Sequence, residues 1–238
     1  MADYLYDNFS GAAYDLDRFK GPSPGDKAPN GDVITLAGET RKLLDFKGKF
    51  LVLEVGSITC PLFQSRRNGM AQLHASHPEC DFAVLYVREA HPGQKIAQPK
   101  DIAAKTALAK RLQNEDAETR EILIDDLNGA VHAALGGYPN SIFIINQSCC
   151  VVWRSDWNNA GATKRALSRL LAGKPAGGEG LFLPAKPPVA VATLRRAGRA
   201  AVLDFLRDFP HLVWKNLLKR NFRLLTGRRA KIEPGHIC

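Results

Sequence analysis

Uninterrupted apolar runs alternate with segments of helical periodicity along the first 173 residues of the chain. The segments at 50–55 and 81–89 contain apolar runs typical of strands that are buried on both faces of a sheet. Between them, residues 61–76 place large apolar side chains on one side and Gln, Arg and Asn on the other, which predicts an amphipathic helix. The alternation continues with a helix at 101–114, a strand at 121–125, a helix at 128–135, strands at 141–146 and 150–155, and a helix at 159–172.

This order of elements predicts an α/β domain over residues 1–173, in which a central mixed sheet is flanked by helices on both faces. Residues 25–50 add short strands and turns before the first central strand. A stretch rich in Gly and Pro at 174–188 predicts a linker. Residues 189–238 then predict a basic amphipathic helical tail, which Pro210 is expected to break into two pieces.

Cys60 lies where the polar turn after the first central strand gives way to the predicted helix. A thiol at this point faces the free N–H groups and the partial positive charge of a helix N-terminus, which favour the thiolate. We therefore expect a redox or nucleophilic cysteine whose pKa lies below the usual value of about 8.5. A strand, a turn, Cys-Pro and a helix in this order are the thioredoxin arrangement, so the expected fold is thioredoxin-like.

The sequence near Cys60 holds no second thiol of a Cys-x-x-Cys pair, because Phe63 occupies that position. Regeneration of Cys60 therefore needs a small thiol such as glutathione, another chain or a distant cysteine. The odd total of five cysteines lacks the spacing of a disulfide scaffold and suits a reducing cytoplasm. Cys80 is expected to be structural, and Cys149 and Cys150 are expected to be free thiols at a hairpin turn. Cys238 ends a mobile tail, and its pairing with Cys60 is the less favoured route of regeneration.

Four motifs in collinear order carry a resemblance to a known family. They are GSITCPLF at 56–63, YVREAHP at 86–92, ILIDDLNGAVHAALGGYP at 122–139 and WN at 157–158. Together they resemble the iodothyronine deiodinases, and the resemblance covers about residues 25–173. It implies a thioredoxin-like fold and the reductive removal of iodine from thyroid hormones by a selenocysteine with a thiol cosubstrate.

The resemblance also implies roles for individual residues. Cys60 stands at the selenocysteine position, His91 at a histidine thought to assist the reaction, and Glu89 at an acidic residue of the same loop. Pro139 stands at the proline before the penultimate strand, where a cis peptide bond is expected to face the thiol. The candidates for substrate binding are Pro139, the preceding Tyr138, and Thr59, which precedes Cys60.

The sequence departs from the family pattern at three places. Sulfur replaces selenium at Cys60, and Ile58 occupies the position of a cysteine two residues earlier. No histidine occurs between 92 and 131, so a second family histidine is missing, and Lys105 to Leu108 fill its neighbourhood. The departures leave the fold and the thiol centre better supported than hormone deiodination.

Three functions remain open at this point. The favoured one is a thiol-dependent oxidoreductase: Cys60 attacks an electrophilic atom of a small molecule or a disulfide, His91 transfers the proton, and an external glutathione- or thioredoxin-like thiol regenerates Cys60. The second is a peroxiredoxin-like peroxidase that forms a sulfenic acid at Cys60. Ser57 fits the pattern of that family, but Leu53 stands where its proline belongs. The third is a non-enzymatic redox-sensing or interaction module.

No bound cofactor or metal is expected, because no His, Cys or Asp cluster has metal-ligand spacing. His74, His77 and His132 fall on predicted helices or their ends and are interpreted as surface or packing residues.

The net charge of +9 is concentrated in the last part of the chain, since residues 175–238 carry 12 Lys and Arg against 4 Asp and Glu. Aromatic residues between these cations predict contact with an anionic membrane surface or a protein partner. No nucleic-acid-binding motif is present, and a homodimer is left open. The acidic, polar start lacks a signal-peptide pattern and no stretch reaches about 18 apolar residues, so the expected location is cytoplasmic, with the membrane periphery as the alternative.

Overall fold

Seven strands form one mixed sheet in the order β2-β1-β5-β4-β3-β6-β7. The computed structural model describes residues 4–226 and 231–238. The strands are β1 (Asp32–Thr35), β2 (Thr40–Lys42), β3 (Phe50–Gly56), β4 (Asp81–Tyr86), β5 (Glu121–Ile124), β6 (Ile142–Asn146) and β7 (Val151–Ser155). β3, β4 and β5 run parallel, whereas β6, β7, β1 and β2 join by antiparallel pairing. This confirms the mixed sheet predicted from the sequence.

The central strand β3 is buried at every position. Leu51, Leu53 and Val55 point into an apolar cluster on one face of the sheet, and Phe50 and Val52 into a cluster on the other. A strand covered on both faces needs apolar residues at successive positions, which explains why its sequence does not alternate.

Helices cover both faces, as predicted. They are α1 (Pro61–Ala75), α2 (Ile102–Asn114), α3 (Ala130–Ala134) and α4 (Ala160–Leu171), followed by α5 (Pro187–Ala197) and α6 (Arg199–Leu212). Met70 of α1 and Leu167 of α4 pack on one face, while Val131 of α3 packs on the opposite one.

Pro210 does not break the tail into two pieces, so that prediction is wrong. The helix continues through Pro210 into a π-helical segment (Val213–Arg220) and then into α7 (Asn221–Thr226). Proline removes one N–H donor, and the backbone adopts the wider π-helical pattern directly after it while keeping helical dihedral angles at Leu212 and Val213. We call residues 199–226 the C-terminal rod.

Ion pairs hold the C-terminal rod against the sheet domain. The guanidinium of Arg220 is buried on Asp156, with its Nε 2.7 Å from one carboxylate oxygen and 2.9 Å from the other. At the surface, Lys215 and Lys219 lie 2.5 and 2.8 Å from the carboxylate of Asp17. The rod is therefore docked on the domain by charge pairing on its inner side.

The segment predicted as a linker runs along the domain without helix or strand until α5 begins at Pro187. Arg66 of α1 donates to the backbone carbonyls of Leu183 and Pro184. The Lys186 N–H donates to Ser65 Oγ over 3.0 Å. Side chains of the domain thus fix the path of the chain between α4 and α5.

Two cysteines expected to be free are joined in the structure. Cys150 and Cys238 form a disulfide, while Cys60, Cys80 and Cys149 are free among the described residues. The side-chain amide of Asn146 donates to the carbonyls of Pro234 and His236, at 3.0 and 2.8 Å, and so holds the final residues beside β6. Periodicity could not reveal this pairing, because it depends on where the last residues return to the sheet.

Within the described part of the chain, no helix is both long enough and apolar enough to span a membrane.

The buried pair of Arg220 and Asp156 gives a stability prediction. Arg220→Ala leaves an uncompensated carboxylate at a buried site, and we expect a loss of about 3 kcal/mol in the free energy of unfolding. Lys219→Ala, which removes a half-exposed partner of Asp17, is the matched control and should cost less than about 1 kcal/mol. Urea unfolding followed by circular dichroism measures both. Equal losses for the two variants would contradict a docking role for Arg220.

Candidate active site

The predicted catalytic loops meet at one edge of the sheet. β3 and β4 are parallel neighbours, and Gly56 at the end of β3 pairs with Tyr86 at the end of β4. The loop that leads to Cys60 and the loop that carries Glu89 and His91 therefore leave the sheet side by side. The strand predicted at 81–89 ends three residues early, which places Glu89 in this loop.

A buried carboxylate joins the two loops. Glu89 Oε2 accepts hydrogen bonds from the Thr59 backbone N–H at 3.1 Å and from Thr59 Oγ1 at 2.5 Å. The Tyr86 hydroxyl donates to the other oxygen, Oε1. Thr59, Tyr86 and Glu89 all have no exposed surface. Burial raises the pKa of Glu89 above its usual value, although these donors lower it.

Further hydrogen bonds fix the backbone of the second loop. Ser57 Oγ accepts from the Ala90 N–H at 3.1 Å, and Thr59 Oγ1 accepts from the His91 N–H at 3.2 Å. Gln98 accepts from the Glu89 N–H and donates to the Glu89 carbonyl, both over 2.8 Å. Thr59, which directly precedes Cys60, is thus tied to the backbone of the loop that carries His91.

Cys60 occupies the N-cap of α1, with Pro61 in the first turn, as predicted. The backbone N–H groups of Leu62 and Phe63 lower the pKa of the thiol, as expected at a helix N-terminus. Burial acts more strongly, because the residue is only 2% exposed, and it raises the pKa of Cys60 to about 12. The expected pKa below 8.5 is therefore wrong for this closed site, where the neutral thiol is favoured.

The N-terminal segment and the C-terminal rod cover the site. The His91 ring packs against Phe9 at a centroid distance of 4.0 Å and against Phe205 of α6 at 5.7 Å. The two covering elements are joined by the Gly11 N–H, which donates to Asp208 Oδ2 at 2.5 Å. Sequence periodicity did not anticipate this cover, which excludes water from the imidazole.

Burial also governs the titration of His91. Its Nδ1 has no hydrogen-bond partner among the described residues, and desolvation lowers the pKa of His91 to about 3. His91 is therefore neutral at physiological pH in the closed site. A neutral imidazole can accept a proton or donate one N–H, but it does not carry the positive charge that would stabilise a neighbouring thiolate.

Tyr138 and Pro139, two of the predicted substrate-binding residues, are both buried. The Tyr138 ring packs in the apolar cluster of the N-terminal segment, against which Leu62 of α1 also packs, and its hydroxyl donates to the Asp15 carbonyl at 2.5 Å. The described residues contain no cis peptide bond, so the expected cis bond before Pro139 is wrong. The backbone there is held in part by His132, whose Nε2 lies 3.0 Å from the Tyr138 carbonyl oxygen.

Lys105 belongs to the stretch from Lys105 to Leu108, which fills the neighbourhood of the missing histidine. Its ammonium donates to the Asp126 carbonyl at 2.8 Å, and burial lowers the pKa of Lys105 to about 8. The charges of Asp125, Asp126 and Glu89 oppose this shift. A lysine in this position is thus a cation that titrates close to neutral pH, within electrostatic range of Glu89.

Sequence reasoning missed several members of the site. Tyr86 is the first residue of the motif YVREAHP. Only its position at the end of β4 indicated that it would contact Glu89. No sequence pattern indicated Gln98 or Phe9, because both reach the site through loops that return to it. Across the described residues, no group of three or more His, Cys, Asp or Glu side chains is arranged to bind a metal.

Comparison with known proteins decides the family. A family model described as iodothyronine deiodinase matches residues 7–158, more than half of the chain. The chain belongs to the iodothyronine deiodinase family. The matched region contains the network of Thr59 and Glu89, Cys60 and His91, whereas α4, α5 and the C-terminal rod lie beyond it.

Curated members of this family are similar over the same part of the chain. Thyroxine 5-deiodinase from Gallus gallus is 34% identical over 144 residues, which are 56% of this chain and 56% of that protein. Thyroxine 5-deiodinase from Aquarana catesbeiana is 33% identical over 142 residues, 55% of this chain and 53% of its own. The chain thus spans little more than half the length of these relatives.

Solved structures share the fold at low sequence identity. An uncharacterized conserved protein from Geobacillus kaustophilus superposes with a TM-score of 0.56 at 17% identity, covering 68% of this chain and 89% of that one. A candidate thiol:disulfide interchange protein, DsbE, from Chlorobium tepidum gives 0.50 at 20% identity, covering 63% and 97%. The fold is thioredoxin-like, with a helical C-terminal region.

The closed site predicts slow alkylation of Cys60. Because the buried thiol is held neutral, iodoacetamide should modify Cys60 more slowly than the half-buried Cys149 at pH 7.5, and the rate should still be rising above pH 9. Mass spectrometry of the labelled peptides over time measures both rates.

A matched pair of variants tests the cover itself. Asp208→Ala removes the acceptor for the Gly11 N–H and should speed the labelling of Cys60 several-fold, whereas Asp208→Asn retains an acceptor oxygen and should change it less. If Cys60 in the unchanged protein were labelled faster than Cys149 at neutral pH, the thiol would be open and ionised instead.

Proposed function

We propose that this protein is a thiol-dependent oxidoreductase that reduces a carbon–halogen bond at Cys60. The observation that supports this most directly is the position of Cys60 at the N-terminus of α1, beside the hydrogen-bonded network of Thr59, Glu89 and Tyr86. Membership of the deiodinase family and the thioredoxin-like fold support the same chemistry.

The proposed reaction has two stages. The Cys60 thiolate attacks the halogen of an organic halide, so that an S–halogen bond forms, the carbon–halogen bond breaks, and the carbon takes up a proton. The carbon is reduced and the sulfur is oxidised. One molecule of an external thiol then displaces halide to form a mixed disulfide with Cys60, and a second releases the Cys60 thiolate and leaves as a disulfide.

The buried carboxyl is suited to the proton transfer. Since burial raises the pKa of Glu89, its protonated form is more available near neutral pH than that of a surface glutamate. Thr59 connects Glu89 to the backbone of His91 and lies directly before Cys60. Glu89 is therefore a candidate proton donor beside the turn that carries Cys60.

Replacement of Cys60 tests the nucleophile. Cys60→Ser should reduce halide release from an iodinated phenol, in the presence of dithiothreitol or glutathione, to the background rate. Cys149→Ser, at a half-buried free thiol outside the site, is the control and should retain activity. Release that survives in Cys60→Ser would exclude Cys60 as the nucleophile. A peroxide and a small disulfide serve as parallel substrates, and turnover of none of the three would favour the non-enzymatic alternative.

Replacement of His91 tests proton transfer. We expect His91→Ala to lower turnover about 100-fold if the imidazole moves a proton in the rate-limiting step. Because the pKa of His91 is about 3 in the closed site, the pH profile of the unchanged protein should show no inflection near pH 6.5 that is due to His91. The profile of His91→Ala should therefore have the same shape in that range. Substitution of the exposed His211 by Ala is the control. An unchanged rate in His91→Ala would leave His91 as a packing residue between Phe9 and Phe205.

A further inference from the structure

The C-terminal rod turns a row of large apolar side chains toward solvent. Seven of them are between 47% and 69% exposed: Leu203, Leu206, Phe209, Trp214, Leu218, Phe222 and Leu225. They recur every three to five residues over the whole rod and form one outer face. Single exposed apolar residues are ordinary, but a continuous row of this length on one helical element marks an interaction surface.

The inner side of the rod is polar over its second half. Arg220 is buried on Asp156, Asn216 is buried, and the side chain of Asn221 exchanges hydrogen bonds with the backbone of Phe182. The usual amphipathic arrangement, with apolar side chains inward and polar ones outward, is therefore reversed here. Since the domain is held by the polar side, the apolar row is left for something outside the domain.

Charge identifies what fits this outer face. The rod contains six Lys and Arg and two Asp, a net charge of +4. Arg199 and Arg207 are exposed alongside the apolar row, whereas Lys219 and Arg223 reach back to Asp17. A second copy docked symmetrically would bring the same cations toward one another, which disfavours self-association. Exposed Trp, Phe and Leu flanked by cations are the composition of helices that lie in the surface of an anionic bilayer.

We propose that the outer face of the C-terminal rod binds the surface of an anionic bilayer. The rod lies parallel to the membrane, with Phe209, Trp214 and Phe222 below the headgroups and with Arg199 and Arg207 at the lipid phosphates. This surface lies outside the region matched by the family model and does not depend on the reaction at Cys60.

Vesicle binding of the full chain tests the proposal. The protein should sediment with vesicles of phosphatidylcholine containing 30% phosphatidylserine at low salt, much less with pure phosphatidylcholine, and be released in part by 1 M NaCl. Trp214 is exposed whereas Trp153 and Trp157 are buried, so binding should shift the tryptophan emission to shorter wavelength. Trp214→Phe should remove that shift while the protein still binds.

Paired variants separate the lipid surface from other occupants. Leu206→Asp with Phe222→Asp, both at exposed positions, should weaken vesicle binding at least about 100-fold and leave the thermal melting curve and the activity of the protein unchanged. Arg199→Gln with Arg207→Gln should weaken binding and flatten its salt dependence. Absence of binding at low salt overturns the proposal, as does equal binding by the Asp variant. A dimer in sedimentation equilibrium that the Asp variant abolishes would assign the face to a second copy instead.

Discussion

The hydrogen bonds from Thr59 to the carboxylate of Glu89 hold the candidate active site together. Parallel pairing of β3 and β4 brings the two loops to one edge of the sheet, but pairing alone does not fix their conformation. A buried carboxylate is costly unless donors satisfy it, and Thr59 and Tyr86 supply those donors. The turn that precedes Cys60 is therefore fixed relative to the Glu89 carboxyl group, and this fixes the position of the Cys60 sulfur.

Two opposing effects act on the Cys60 thiol, and their magnitudes decide its state. The N-terminus of α1 offers the N–H groups of Leu62 and Phe63 and a fraction of a positive charge. Removal of the thiolate from water costs more, and the neighbouring carboxylates Glu54 and Glu89 add repulsion. In the closed site, burial of the sulfur outweighs the activation by the helix N-terminus.

Features that depend on local sequence could be predicted. The apolar run of β3, the periodicity of α1 and the hairpin of β6 and β7 follow from neighbouring residues, and so did Cys60 at the start of a helix. The sequence predicted that Glu89 lies in a loop after a strand, but not its contact with Thr59. What could not be predicted depends on distant segments: the disulfide of Cys150 and Cys238, the trans bond at Pro139, and the burial that raises the pKa of Cys60.

The C-terminal rod has to satisfy two different surroundings with one helical element. On its inner side Phe205 packs on His91 and Asp208 accepts from Gly11, so the rod contributes to the exclusion of water from His91. Cys60 is itself buried, so a substrate reaches the sulfur only when residues around it move aside. That movement admits water, which removes much of the desolvation that raises the thiol pKa, while the N–H groups of Leu62 and Phe63 remain in place. In the proposed reaction, access to Cys60 and ionisation of its thiol are therefore coupled, because the burial that limits access also raises the thiol pKa.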